Sequence, residues 1–193
     1  MSFKINIAIF ASGAGSNAQK LINYFRDSDR ASIGLIVCNN PEAGVLHIAQ
    51  KEAIPARLIT PADLKAPDDL LRELRERQIG FIVLAGFLKK IPPALVQAFP
   101  KAIVNIHPAL LPAYGGKGMY GRHVHEAVIR NGETKSGISI HWVDEQYDHG
   151  QLIFQATCSV KPDDTAEELA ARIHQLEHEH YPRIIASVLP NPR

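Results

Sequence analysis

The stretch Ile5-Asn6-Ile7-Ala8-Ile9-Phe10-Ala11-Ser12-Gly13-Ala14-Gly15-Ser16-Asn17-Ala18 passes from an apolar run, through a glycine-rich turn, into residues at helical spacing. Residues 5–10 read as a buried strand, while Ala18, Leu21, Ile22 and Phe25 fall on one helix face. Working outward, further apolar strand candidates lie at 33–38, 56–59, 79–85 and 102–106, with helical patterns such as Leu70, Leu71 and Leu74 between them. This alternation predicts an α/β chain built on a mostly parallel sheet flanked by helices. Beyond about residue 107 the pattern changes to a glycine-rich loop, a helix over 122–130 and strands over 137–143 and 152–160. These last two strands are expected to form an antiparallel extension. A closing helix is expected from Asp164 or Thr165, with Glu167 and Glu168 complementing its dipole.

At 193 residues and 46% hydrophobic content, the chain is long enough for a sizeable core and short enough for one domain. Twenty-one Lys plus Arg against twenty Asp plus Glu leave a formal charge of +1, so composition argues against a nucleic-acid or anionic-membrane surface. The longest apolar run, 79–88, falls short of the roughly 18 residues that a membrane helix needs. The N-terminus reads as the first strand and not as a secretory signal. Cys38 and Cys158 stand apart without metal spacing, which fits a reducing cytoplasm and argues against a disulfide.

Three places carry polar residues suited to chemistry. The turn Ser12-Gly13-Ala14-Gly15-Ser16-Asn17 lets backbone amides approach a phosphate at a helix N-terminus, or is simply a tight turn with Ser or Asn as a cap. Gly13, Gly15 and Ala18 meet a loose dinucleotide pattern, but the second strand ends in Asn39-Asn40, where a ribose-binding acid would stand. In Asn105-Ile106-His107-Pro108-Ala109-Leu110-Leu111-Pro112, Asn105 and His107 project to one side of a strand's carboxyl end, the place where open parallel sheets bind ligands. With Asp148 they form either a structural hydrogen-bonded set or a catalytic trio. In the latter reading the carboxylate raises the imidazole's pKa, and the imidazolium and an amide donor stabilise an oxyanion of acyl transfer. No serine or cysteine stands at a nucleophile elbow, so direct attack by a substrate amine is the simpler chemistry.

The histidines divide further. His174-Gln175-Leu176-Glu177-His178 matches H-x-x-E-H, a zinc pattern, but lacks a third ligand. It reads better as an exposed polar face, with Ile173, Leu176 and Tyr181 turned inward. His123 and His125, two apart on a helix, diverge and suggest surface or substrate-loop chemistry. His141 should share a strand face with Ser139 and Val143, opposite Ile138, Ile140 and Trp142, either as a satisfied core residue or as a brace for the loop carrying Asp148.

On the glycine turn, Leu84-Ala85-Gly86-Phe87-Leu88, the Asn105–Pro112 motif, Asp148-His149-Gly150 and Glu177-His178, the chain resembles the phosphoribosylglycinamide formyltransferase family of folate-dependent purine biosynthesis over nearly its whole length. The resemblance implies a Rossmann-like mostly parallel sheet with a C-terminal strand and helix extension. It implies one formyltransferase domain over 1–193, with a phosphate-binding half of about 1–100 and a catalytic and folate-binding half of about 101–193. Asn105, His107 and Asp148 match the family's catalytic trio; Gly15, Ser16, Asn17 and Glu177 match its glycinamide ribonucleotide contacts. Leu88, Lys89, Lys90, Ile91, Asn105 and Asp144 match the folate site. The implied co-substrate is 10-formyltetrahydrofolate, with no metal, no nucleic acid or membrane partner, a cytoplasmic location, and a monomer or homodimer. Lys89-Lys90, the long loop 115–121 and His149 depart from the family's usual pattern; the loop reads as a lid or a longer surface connection. Related readings include a methionyl-tRNA formyltransferase, whose extra C-terminal domain and Arg-Gly loop are not matched here, and a formyltetrahydrofolate hydrolase, which would carry a further N-terminal domain. Outside catalysis, the alternative is a nucleotide-binding module.

Overall fold

The computed structural model describes residues 4–190; the ends of the expected 1–193 domain lie outside them. Seven strands form one sheet in the order β3-β2-β1-β4-β5-β6-β7. The first five, β1 (Ile5–Ala11), β2 (Ala31–Cys38), β3 (Ala56–Leu58), β4 (Ile79–Leu84) and β5 (Ile103–His107), pair in parallel. Then β6 (Lys135–Trp142) pairs antiparallel with β5, and β7 (Leu152–Ser159) antiparallel with β6, as the change of pattern after residue 107 predicts. The sheet is the Rossmann-like one expected, with β6 beginning two residues earlier and β5 running one residue further, to His107 itself.

The apolar run of β1 is buried from both sides, as in other central parallel strands. Ile7, Ile9 and Ala11 face one core, shared with α1 (Ser16–Phe25), α2 (Gly44–Lys51), α6 (Arg122–Arg130) and α7 (Ala166–Val188). Ala8 and Phe10 face the other, shared with α4 (Asp68–Glu76) and α5 (Pro93–Ala98), where Leu70, Leu71, Leu74 and Leu95 close the layer. The short α3 (Pro61–Lys65) joins β3 to α4 and is started by a Thr60–Asp63 capping box. A second capping box, Thr165 with Glu168, starts α7, so the closing helix begins at the later of the two expected positions. Asp164 instead binds the Lys161 amide and the Arg172 guanidinium.

Three features place the ligand crevice. Strand order reverses about β1, whose partners β2 and β4 lead in opposite directions, and such a switch point opens a cleft beyond the strand ends. The turn into α1 needs glycine at 15: φ is +83°, and a Cβ there would lie 2.9 Å from Val45 and Ile48. Finally, α7 crosses the sheet beneath the crevice, where the buried Tyr181 hydroxyl donates to the Leu84 carbonyl at 2.8 Å and lies 3.2 Å from that of Val104. This fixes the helix to the last residue of β4 and to β5 near its start.

Candidate active site

Beyond the ends of β1, β4 and β5 lies a cavity of about 570 Å³, a usual size for a small-molecule site. Its lining includes Gly15, Ser16 and Asn17, the segment 88–91, and Asn105, His107, Asp144, Asp148 and Glu177. The structure therefore brings every site residue expected from sequence to one cavity. It also adds Lys117 and Tyr120 of the loop 115–121, together with His125, His141 and His174.

At the phosphate-type end, no side chain caps α1, and its first turn holds no acid. The alternative of a Ser or Asn cap is thereby corrected: Ser12 bonds Asn39 and receives the Leu88 amide, while Asn17 donates to Glu177 at 2.8 Å. Helix amides without a side-chain acceptor form an anion-binding end. Glu177 is buried, against the exposed polar face expected for its segment; burial pushes its carboxyl up, and the Asn17 hydrogen bond partly offsets this.

In the centre, Asn105 and His107 project from β5 to the same side, two residues apart as the pleat requires. The His107 ring is 4% exposed, and its Nε2 lies 2.7 Å from the Tyr114 carbonyl oxygen. A carbonyl only accepts, so Nε2 carries the hydrogen, and Nδ1, 3.5 Å from Asp148 Oδ2, presents a lone pair in the neutral ring. Burial pushes the His107 pKa down more than the Asp148 carboxylate and the Tyr114 carbonyl pull it up. The expected raised pKa is thus corrected: Asp148 acts in the expected direction, but desolvation outweighs it and the resting ring is neutral.

Asp148 has its own support. Oδ2 accepts the Gly116 amide at 2.9 Å, and Oδ1 lies 3.4 Å from the Asn105 amide nitrogen and 3.6 Å from His141 Nε2. Burial alone would raise this carboxyl; the neighbouring rings of His141 and His107 and the Gly116 amide together outweigh it and hold the carboxyl below its ordinary value. Its backbone sits at φ +52°, a left-handed conformation that glycine adopts freely and that asparagine and aspartate tolerate better than most residues. Gly150 closes the same loop against β6, where a Cβ would come 1.8 Å from the Trp142 carbonyl oxygen.

Of the two readings the sequence left for His141, the satisfied buried histidine fits: the ring is 2% exposed and both nitrogens have strand partners, with Asp148 Oδ1 no nearer than 3.6 Å. Its Nδ1 donates to the Trp142 carbonyl at 2.8 Å, so Nε2 accepts from the Asn105 amide at 3.1 Å. Both amide hydrogens of Asn105 are therefore engaged, one by His141 and one, at longer range, by Asp148. Around this centre, Leu88, Lys89 and Lys90 are exposed and Ile91 is buried, while Asp144 pairs with His149 at 2.9 Å. The two diverging histidines of α6 part as expected, but His125 is buried and lines the cavity, not the surface; burial pushes its pKa down to about 4. The Tyr114 carbonyl and Gly116 amide had no signal in the sequence, because they act through backbone atoms.

A Rossmann-like sheet with a cleft at its switch point, lined by several titratable side chains, defines the chain as a small-molecule-handling α/β protein. More specifically, it belongs to the formyl transferase family, whose model matches residues 5–185. It is 43% identical over 188 residues to the chloroplastic phosphoribosylglycinamide formyltransferase of Arabidopsis thaliana, covering 94% of this chain and 64% of that one. It thus spans just under two thirds of that plant relative and 60% of the Vigna unguiculata one. With the phosphoribosylglycinamide formyltransferase of Bacillus subtilis it shares 36% identity over 187 residues, covering 94% of this chain and 93% of the other. The crystal structure of glycinamide ribonucleotide transformylase 1 from Geobacillus kaustophilus aligns with a TM-score of 0.88 at 38% identity, covering 97% of this chain and all of that one.

Proposed function

We propose that this chain transfers a formyl group from 10-formyltetrahydrofolate to the free amine of glycinamide ribonucleotide, in purine biosynthesis. The observation that carries this reading is the meeting, in one cavity, of Asn105, His107 and Asp148 with the uncapped start of α1. Family membership and the relatives' names support the reaction class.

In this reading the amides of Gly15, Ser16 and Asn17 hold the substrate phosphate, and Glu177 contacts the glycinamide part. The segment 88–91 and Asp144 hold the pteridine end of the folate. The neutral amine attacks the formyl carbon, and His107 Nδ1 accepts a proton from it. The resulting imidazolium, flanked by Asp148, faces the developing oxyanion and passes the proton to the departing folate nitrogen. Asn105 exchanges its long 3.4 Å contact with Asp148 for the oxyanion while His141 keeps its other amide hydrogen. One amine N–H and one N–formyl bond are lost, and one N–formyl and one N–H bond are formed. All of this uses a single domain over 1–193, with α7 returning Glu177 to the phosphate-binding half.

Incubation with both substrates should give amine-dependent folate product. Replacing His107 by Ala should lower kcat by about 10²–10⁴, the usual worth of general acid–base catalysis, with KM little changed. Folate consumption that is equal without the amine would indicate the hydrolase, and no turnover would leave a binding module.

A further inference from the structure

We propose that Tyr114, clasped through its hydroxyl by Glu133 and Asn131 at the end of α6, is the positioning residue that keeps a lone pair on His107 Nδ1; this rests on the formyl-transfer reading above. Two acceptors compete for the single N–H hydrogen of the neutral His107 ring: the Tyr114 carbonyl, 2.7 Å from Nε2, and the Asp148 carboxylate, 3.5 Å from Nδ1. A carboxylate is the stronger acceptor, so it is the shorter contact that keeps the hydrogen on Nε2. Were the carbonyl to withdraw, the hydrogen would pass to Nδ1 and bond Asp148. The nitrogen that takes the proton of the amine would then have no lone pair. The place of one backbone carbonyl thus decides whether His107 is a base.

The Tyr114 side chain holds that carbonyl in place. Its backbone sits at φ +56° and runs on through Gly115 to Gly116 at φ +94°, a path that glycine-rich chain does not hold by itself. The Tyr114 ring packs against the core shared with α6 and α7. Its hydroxyl donates to Glu133 Oε1 at 2.7 Å and accepts from Asn131 Nδ2 at 3.0 Å. Both partners stand on the turn after α6, where the amides of residues 131, 132 and 133 bond the carbonyls of Ala127, Ile129 and Val128. The hydrogen bond to Glu133 pushes the phenol's pKa up and keeps it a donor. Two residues beyond Tyr114, the Gly116 amide holds Asp148 Oδ2, the oxygen that faces Nδ1, so one anchor governs both competing acceptors. Charged and titratable neighbours are Glu133 and Arg130 at the hydroxyl, and Asp148, His141 and the α6 residue His125 at the His107 ring. Neither Glu133 nor Asn131 lines the cavity, so they reach the chemistry only through Tyr114.

Tyr114→Phe and Glu133→Ala should each lower kcat about 3- to 10-fold, the range of one lost hydrogen bond, with KM for both substrates within about twofold. Because the carbonyl pulls the His107 pKa up, the acid-side inflection in kcat should move to lower pH in both. The double variant should lose no more than Tyr114→Phe alone, and Glu133→Gln, which keeps an acceptor for the hydroxyl, should recover most of the rate. The ring ¹⁵N shifts of His107 report the tautomer itself, with the hydrogen on Nε2 in the wild type and partly on Nδ1 in Tyr114→Phe. An unchanged tautomer in Tyr114→Phe, whatever its rate, or additive losses in the double variant, would overturn the proposal while the formyl-transfer reading stands. Should the wild-type protein show no amine-dependent turnover, that reading falls, and the ¹⁵N shifts decide the clasp by themselves. A changed tautomer in Tyr114→Phe then upholds it, and an unchanged one overturns it.

Discussion

At the residue scale, the chemistry proposed for this chain turns on how two histidines are tied. Each gives one nitrogen to a backbone carbonyl, His107 to Tyr114 and His141 to Trp142, which fixes which nitrogen is free. His107 is left with a lone pair towards Asp148, and burial keeps it neutral at rest. A base held below its ordinary pKa stays ready through neutral pH and loses function only as acid protonates it. The Asp148→Asn variant keeps an oxygen for the Gly116 amide but loses the charge that raises the His107 pKa. Its acid-side inflection in kcat should therefore move to lower pH, with a lower plateau. A variant profile that overlays the wild type in both rate and inflection would remove Asp148 from the mechanism. Asn105, His107 and Asp148 were legible in sequence because they are side chains at a strand end and in a following loop. The direction of the His107 pKa was not, since a carboxylate neighbour can be guessed from a motif whereas the depth of burial depends on the whole fold.

At the element scale, the order of strands and helices was readable because short apolar runs alternate with segments of helical period along this chain. The helix expected over 122–130 is α6 residue for residue. Strand ends shifted by a residue or two where pairing partners, not apolar composition, set the limit: β5 continues through His107 because β6 pairs with it there, His107 opposite Ser139. The loop between β6 and β7 shows the cost of aiming a carboxylate into a cleft. Gly150 lets the loop return against β6, and an alanine there would drive its Cβ into the Trp142 carbonyl. Gly150→Ala should lower stability by about 1–3 kcal/mol, the usual cost of forced overpacking, and reduce turnover with it because Asp148 shifts. Urea unfolding and kcat measured on the same preparation check this; a variant as stable and as active as wild type would mean that the loop does not constrain Asp148.

At the scale of the whole molecule, burying imidazoles makes stability depend on pH in a definite direction. The folded-state pKa values of His107 and His125 are depressed, that of His125 to about 4, so between there and the ordinary imidazole value near 6.5 the unfolded chain binds more protons. Their effect is absent above about pH 6.5 and destabilises the fold progressively as pH falls towards 4. Each unit of depression corresponds to about 1.4 kcal/mol. Below about 3.8 the depressed carboxyls of Asp148 and Asp164, the latter at about 2, add their own losses. Melting temperature should therefore fall between pH 6.5 and 4, and His125→Gln should flatten that slope; parallel slopes for the two proteins would show that His125 is not the titrating group.

The left-handed backbone at Asp148 sets the needs of the fold against those of the reaction at a single position. Glycine would adopt the φ of +52° more freely than aspartate but would give up the carboxylate that accepts the Gly116 amide. Aspartate stands where backbone freedom alone favours glycine, so a search guided only by relief of backbone strain would drift towards inert descendants at this site.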